Sequence, residues 1–205
     1  MDIAAHEAWP TVGTPCGWRT NWNNGMRAFY GWVSEGGSYI LSYVPKDYNE
    51  NENDRWRYDY STMRLGLTSS LLADRGYYNY WPGVFRSMTW YDELSVDLSN
   101  GKSTGDGSSR GYLGLPIGGA YDPLTDETFD EVYKRDLTGC TDNTDADLSR
   151  HVWIREYENG VVIVNPTSTS KTIQKDKIPG FRVKRILGVH DVNWNNGEEI
   201  IDSIT

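Results

Sequence analysis

Residues 88–94 carry the side chains best suited to acid–base chemistry. Two adjacent carboxylates, Asp92 and Glu93, directly follow two large aromatic residues, Trp90 and Tyr91. Desolvation beside an aromatic ring raises the pKa of a carboxyl group and favours a general acid, whereas accepted hydrogen bonds lower the pKa and favour a nucleophile or electrostatic stabiliser. If the segment is a strand, the two carboxylates point to opposite faces and at most one leads into a given cleft. The alternative is an ordinary strand end with two solvated acids.

Flat aromatic side chains are abundant, with 9 Trp, 14 Tyr and 4 Phe among 205 residues. Trp and Tyr present apolar faces with a polar edge, which suits contact with sugar rings. Six tryptophans lie near Asn, Gly or Pro: Trp18, Trp22, Trp32, Trp81, Trp90 and Trp194. As a group they favour contact with carbohydrate, although for any single Trp a place in the core is the better interpretation.

The composition argues against other classes of partner. The chain has 20 Lys and Arg against 29 Asp and Glu, a net charge of −9, whereas nucleic acid and anionic membranes attract a positive field. We therefore expect no nucleic-acid partner. No apolar run approaches the roughly 20 residues of a membrane-spanning helix, so we expect no membrane insertion. The first residues have neither the basic nor the apolar region of a signal peptide. The compartment is left open.

Metal and cofactor chemistry is not predicted. The histidines His6, His151 and His190 lie far apart, and no C-x-x-C motif is present. The pairing of Cys16 and Cys140 is left open. Residues 142–147 resemble a calcium loop, yet they lack the glycine at the sixth position and the terminal glutamate of an EF-hand.

A strand–helix–strand unit is predicted before the acidic pair. Residues 39–44 have the apolar and aromatic content of a buried strand, and residues 77–81 predict another. Between them we expect a helix that begins with Ser61 as N-cap and ends at Gly76 in a left-handed conformation. Its apolar stripe comprises Tyr60, Met63, Leu67 and Leu71, widened by Leu65 and Leu72. Gly66 inside this helix indicates close packing on a neighbour. Residues 1–25 lack periodicity and predict a loop.

The second half of the chain predicts mostly β structure. A short helix is expected over residues 123–137, with Asp122 or Thr125 as its cap. Residues 151–157 and 161–164 flank Asn159-Gly160, which favours a hairpin with a type I′ turn. Residues 171–174, 181–187 and 199–204 predict further short strands. The segment 21–25 recurs as 193–197 with the same sequence, Asn-Trp-Asn-Asn-Gly, which we interpret as a coincidence of turn chemistry.

Five segments follow one another along the chain: residues 63–78, 90–93, 111–118, 153–167 and 188–197. Together, and in this order, they resemble a family of glycosyl-hydrolase-like proteins in which a barrel is followed by a β-sandwich. The resemblance covers about residues 60–205. Two departures concern the shape of the cleft: Arg75 lies between Asp74 and Gly76 where the family tends to run Asp-Gly, and the loop over residues 98–110 is longer.

The resemblance implies an α/β plus all-β fold, the C-terminal part of a (β/α)8-type barrel followed by an antiparallel β-sandwich-like domain. Residues 1–137 would be the barrel segment with active-site loops, and residues 138–205 the incomplete β domain. Because a complete barrel alone needs at least about 200 residues, this chain would be a C-terminal piece.

The implied function is hydrolysis of the glycosidic bonds of a polysaccharide or glycan without a cofactor. Glu93 or Asp92 would act as acid/base or nucleophile, and the substrate-binding walls would be Trp90, Tyr91, Trp81 and Tyr80. The second carboxyl that the reaction needs would come from an earlier strand. The alternatives are a noncatalytic carbohydrate-binding or structural β module, and a surface adhesion or scaffold domain with its aromatic residues packed inside.

Overall fold

The computed structural model describes residues 3–6, 22–43, 60–80, 91–105, 107–136, 146–180 and 182–205, which form small helices and short sheets. The chain divides into two compact units. The first comprises Met1–Phe85, Gly119–Arg155 and Val162–Thr169, and the second Arg86–Gly118, Glu156–Val161 and Ser170–Thr205. The predicted domain boundary after residue 137 stays a prediction.

A three-stranded parallel sheet lies in the first unit. Its strands β1 (Ile3–His6), β2 (Ser38–Tyr43) and β3 (Gly76–Tyr80) are neighbours in chain order. Helix α1 (Trp22–Ser34) lies between β1 and β2 in the chain, and helix α2 (Tyr60–Ser70) between β2 and β3. The predicted strand–helix–strand unit is therefore confirmed. The predicted loop over residues 1–25 is wrong, because that stretch contains β1 and the start of α1.

Helix α1 buries one apolar stripe. Trp22, Met26, Phe29 and Val33 are buried, and their spacing of four, three and four residues places them on one face of a helix. The indole nitrogen of Trp22 donates a hydrogen bond to Ser69 Oγ at 2.9 Å. Trp22 is therefore a core residue of this unit.

Helix α2 packs closely on β3, as Gly66 predicts. A Cβ atom at Gly66 would lie 2.4 Å from the ring of Tyr78. Two details of the expected helix are wrong. Ser61 lies inside α2 instead of capping it, and the left-handed residue after the helix is Arg75, with φ 60°, instead of Gly76. The Arg75 guanidinium donates a hydrogen bond to the carbonyl oxygen of Gly36.

Helix α3 (Phe129–Lys134) is shorter than the helix expected over residues 123–137. Its cap is Thr128, not Asp122 or Thr125: the Thr128 side chain accepts from the Glu131 N–H, and the Glu131 side chain accepts from the Thr128 N–H. The Phe129 ring lies 4.7 Å from that of Trp153, which is fully buried. This aromatic pair belongs to the core of the first unit.

Strands β6 (Trp153–Tyr157) and β7 (Gly160–Val164) form the predicted hairpin. Its turn is not type I′, because neither Asn159 nor Gly160 has a positive φ. The Glu158 and Asn159 N–H groups donate to the carbonyl oxygens of Leu115 and Leu113. These bonds lie outside the hairpin itself, and they offer a reason why the local Asn-Gly signal did not decide the turn.

Short antiparallel strand pairs lie in the second unit. They are β4 (Val96–Asp97) with β5 (Lys102–Ser103), and β8 (Ile173–Gln174) with β9 (Ser203–Ile204). Isolated bridges join Lys184 to Glu199 and Leu187 to Asn196. In the described part of the chain, no helix combines the length and the apolar character needed to cross a bilayer.

Candidate functional site

The acidic pair lies in a short 3₁₀ helix, Asp92–Leu94, in the second unit. The backbone of the preceding residue, Tyr91, is extended, with φ −104° and ψ 146°. The helical turn removes the alternation that a strand would impose, so the conditional expectation of opposite faces does not apply. The two carboxylates instead accept hydrogen bonds from the same side chain, Asn195.

Asp92 is a buried anchor for a loop almost one hundred residues further along the chain. Its side chain is 1% exposed. The Val189 N–H donates to Oδ1 at 2.9 Å, the Asp191 N–H donates to Oδ2 at 3.0 Å, and the His190 N–H lies 3.2 Å from both oxygens. His190 Nδ1 is 3.3 Å from Oδ1. Three consecutive amides thus converge on one carboxylate.

These donors keep Asp92 ionised. Burial by itself raises the pKa of this carboxyl, but the hydrogen bonds from Asp191, Val189, Asn195 and His190 outweigh burial and lower the pKa to about 2. A carboxylate that accepts several backbone hydrogen bonds is stabilised in its charged form. Asp92 is therefore unsuited to act as a general acid near neutral pH.

Asn195 couples the two carboxylates. Its side chain is buried, and Nδ2 lies 3.3 Å from Asp92 Oδ2 and 2.9 Å from Glu93 Oε1. The Tyr112 hydroxyl donates to the Glu93 carbonyl oxygen at 3.2 Å, and burial together with the charge of Glu93 raises the pKa of Tyr112. Glu93 is thus held at both its backbone and its side chain.

Gly188 allows the loop to approach Asp92. A Cβ atom at this position would lie 2.3 Å from Asp92 Oδ2 and 2.7 Å from Asn195 Cβ. The Gly188 N–H also donates to the Asn195 carbonyl oxygen at 2.7 Å. No side chain fits here without displacing the anchored carboxylate or the amide that bridges it to Glu93.

We therefore expect Gly188→Ala to lower the free energy of unfolding by about 1–3 kcal/mol, the usual cost of overpacking a filled site. Chemical denaturation measures this change. Gly118→Ala is the matched control, because a Cβ there meets nothing within 4 Å. Equal stability of the two variants would show that the contact at Gly188 is not tight.

Of the predicted site residues, the structure describes the side chains of Tyr91, Asp92 and Glu93. Trp90 and Trp81 lie outside the described residues, and Tyr80 is described only through its backbone in β3. Tyr91 is 3% exposed. Asp92 and Glu93 come together with two residues that the sequence analysis did not select, Asn195 and His190.

The recurrence of Asn-Trp-Asn-Asn-Gly at residues 193–197 is the sequence feature that could have indicated a role for Asn195. The first copy lies at the start of α1, where Trp22 is buried, while Trp194 in the second copy is 47% exposed. The copies thus adopt different environments, and the sequence identity does not reflect a structural repeat. The second copy contributes Asn195 to the acidic site.

A metal centre does not assemble in the described residues, where no group of three or more His, Cys, Asp or Glu side chains is arranged to hold an ion. Residues 142–145 of the calcium-like segment lie outside the described residues, and Asp147 accepts hydrogen bonds from Ser149. His151 forms a separate pair with Asp122 in the first unit, at 2.8 Å.

No family model, no curated protein and no solved structure matches the chain. The resemblance to glycosyl-hydrolase-like proteins stays a prediction made from the five ordered segments.

Proposed function

We propose that the chain is the C-terminal part of a barrel-type glycoside hydrolase acting on a polysaccharide or glycan, with Glu93 as a reacting carboxyl. The observation that carries this proposal is the fixed position of the Glu93 carboxylate. Asn195 holds it at 2.9 Å and is itself bonded to the buried Asp92. A catalytic acid, base or nucleophile needs such support from neighbouring groups to keep its orientation.

Asp92 has a positioning role in this proposal. Its carboxylate is 1% exposed and already accepts hydrogen bonds from Val189, His190, Asp191 and Asn195. A substrate would have to displace this loop to reach its oxygens. Glycoside hydrolysis uses two carboxyl groups, so the partner of Glu93 is another residue of the protein, and the stereochemical outcome follows from its distance.

The finer fold is part of the same proposal: β1, β2 and β3 would be consecutive strands of a (β/α)8-type barrel, and residues 138–205 a β-sandwich-like domain. The sequential parallel order of the three strands, with helices between them in the chain, supports the barrel. The short antiparallel pairs of the second unit are the kind of element that a β domain contains.

The experiment is a measurement of reducing-end release from neutral and acidic glycans by the full-length protein, which would include the earlier barrel strands and the second carboxyl that the proposal requires. We expect turnover on at least one of them. Binding without turnover on every glycan would overturn the hydrolase and leave the second candidate, a noncatalytic carbohydrate-binding or structural β module. The observation that favours this second candidate is the use of Asp92 as an anchor, since half of the acidic pair is then structural.

A further inference from the structure

The loop that Asp92 anchors exposes several large apolar side chains. Four of its large apolar side chains are well exposed to solvent: Leu187 at 42%, Val189 at 44%, Val192 at 58% and Trp194 at 47%. They lie within eight residues of one another in a single loop. We call Leu187, Val189, Val192 and Trp194 the outer face.

This arrangement inverts the usual distribution of polarity. The backbone amides of Val189, His190 and Asp191 turn inward to Asp92, and the Asn195 side chain is buried. The four apolar side chains are 42–58% exposed, so a large part of their apolar surface remains in contact with water. Groups of exposed apolar residues are typical of binding surfaces. The anchored backbone would hold such a surface in one conformation before a ligand arrives, which lowers the entropy cost of binding.

Arg185 supplies a cation beside the outer face. Its guanidinium lies 4.3 Å from the centroid of the Trp194 ring. Two carboxylates on the segment opposite Arg185 accept hydrogen bonds from other residues: Glu199 accepts from Arg182 at 3.0 and 2.7 Å, and Glu198 accepts from Asn196 at 2.8 Å. Among the residues that the structure describes, Arg185 forms no ion pair.

The sequence before the outer face is locally basic. Residues 175–185 contain four cations besides Arg182, which is paired with Glu199; they are Lys175, Lys177, Lys184 and Arg185, against one acid, Asp176. The chain as a whole has a net charge of −9, which opposes the approach of an anionic ligand. A basic segment in this setting favours anion binding at one place.

We propose that Arg185 and the outer face form a binding site for an acidic carbohydrate, a glycan that contains uronic acid. The apolar face of a sugar ring would lie against Trp194 and the valines, and the sugar carboxylate would pair with the Arg185 guanidinium, which suits carboxylates geometrically. This proposal goes beyond hydrolysis, because such a site binds whether or not Glu93 reacts.

The test is titration of the intact protein with polygalacturonate, a neutral β-glucan and dextran sulfate, followed by tryptophan fluorescence and calorimetry. We expect binding of polygalacturonate that is at least about tenfold tighter than binding of the other two polymers, a difference of roughly 1.4 kcal/mol. Equal affinity for dextran sulfate would show that the site binds polyanions by charge attraction alone. Equal affinity for the neutral glucan would show that Arg185 has no role in binding. Either result overturns the proposal.

Variants locate the site. Trp194→Ala and Arg185→Gln should each weaken polygalacturonate binding by about tenfold or more, because one removes the ring contact and the other the charge. Arg182→Gln is the matched control: it removes one nearby positive charge, but that guanidinium is already paired with Glu199. Its affinity should stay within about twofold of the wild type, as expected for an exposed ion pair outside the site. An Arg182→Gln loss as large as that of Arg185→Gln would contradict the assignment.

The outcome is independent of catalysis. Failure of polygalacturonate binding with retained turnover of another glycan overturns this site and leaves the hydrolase proposal standing. Binding lost in Trp194→Ala without any turnover supports the site and contradicts the hydrolase. Unchanged far-UV circular dichroism and thermal unfolding verify that both variants remain folded.

Discussion

Replacing Asp92 by alanine should lower the free energy of unfolding by about 3 kcal/mol or more, because it removes a buried carboxylate and leaves several buried or partly buried donors without an acceptor. The donors are the three consecutive amides of residues 189–191 and the amide of Asn195. Chemical denaturation followed by circular dichroism measures the loss.

Asp97→Ala is the control for this prediction. Asp97 also accepts several hydrogen bonds, from the Ser99 N–H and hydroxyl and from Asn100, but these groups are exposed. Water replaces the lost acceptor there, so the change should be much smaller. Similar losses in the two variants would contradict the view that Asp92 acts through buried donors.

Acid should remove the contribution of Asp92 in a defined range. The pKa of this carboxyl falls from an ordinary value of 3.8 to about 2 on folding, so the unfolded chain takes up its proton first. The stabilisation by Asp92 is therefore complete at pH values above its ordinary pKa of 3.8. It declines as the pH falls toward about 2, the pKa of Asp92 in the folded protein. The stability difference between the wild type and Asp92→Ala should be constant near neutral pH and shrink over that interval.

Replacing Glu93 by glutamine should lower kcat by about 100-fold or more if Glu93 is the acid, base or nucleophile, because glutamine neither exchanges a proton nor attacks. The glutamine oxygen retains an acceptor for Asn195 Nδ2, which bonds Glu93 at 2.9 Å, so the fold should persist. The measurement is the rate of reducing-end release under saturating glycan, together with the affinity for that glycan.

Asp97→Asn provides the comparison, since it removes one acidic charge from the same unit at an exposed position. Its kcat should equal that of the wild type. Wild-type turnover by Glu93→Gln would remove the assignment of Glu93, whatever the protein hydrolyses. A fall in affinity with kcat unchanged would place Glu93 in binding instead of chemistry.

Local sequence patterns predicted the elements whose signals lie within a single segment of the chain. The strand–helix–strand unit, the hairpin and the close packing at Gly66 follow from periodicity, turn residues and the absence of a side chain. Helix α1 was missed because a segment without evident periodicity was assigned to a loop up to residue 25, although Trp22 begins its buried stripe. Arg75 adopts the left-handed conformation although no local pattern indicates it, since glycine is the residue that ordinarily does so.

The sequence indicates the two acids of the candidate site but not their partners, because those partners are distant in sequence. Asp92 and Glu93 were selected from their neighbours in sequence, but their environment comes from residues 188–195. The bond from Asn195 to Glu93 spans 102 positions. Composition and spacing within one segment contain no information about such a partner. The prediction that the acids are either desolvated or hydrogen-bonded left both options open, and for Asp92 the hydrogen bonds decide.

The tie between Asp92 and residues 189–191 has a practical consequence for trimming the protein. A shorter chain that stops before residue 188 would lack every one of these hydrogen-bond donors to the buried Asp92 carboxylate. Its acidic turn would then reorganise, even though the cut lies far from it in sequence. Fragments meant to retain the native arrangement around Glu93 should therefore keep the tail through Asn195.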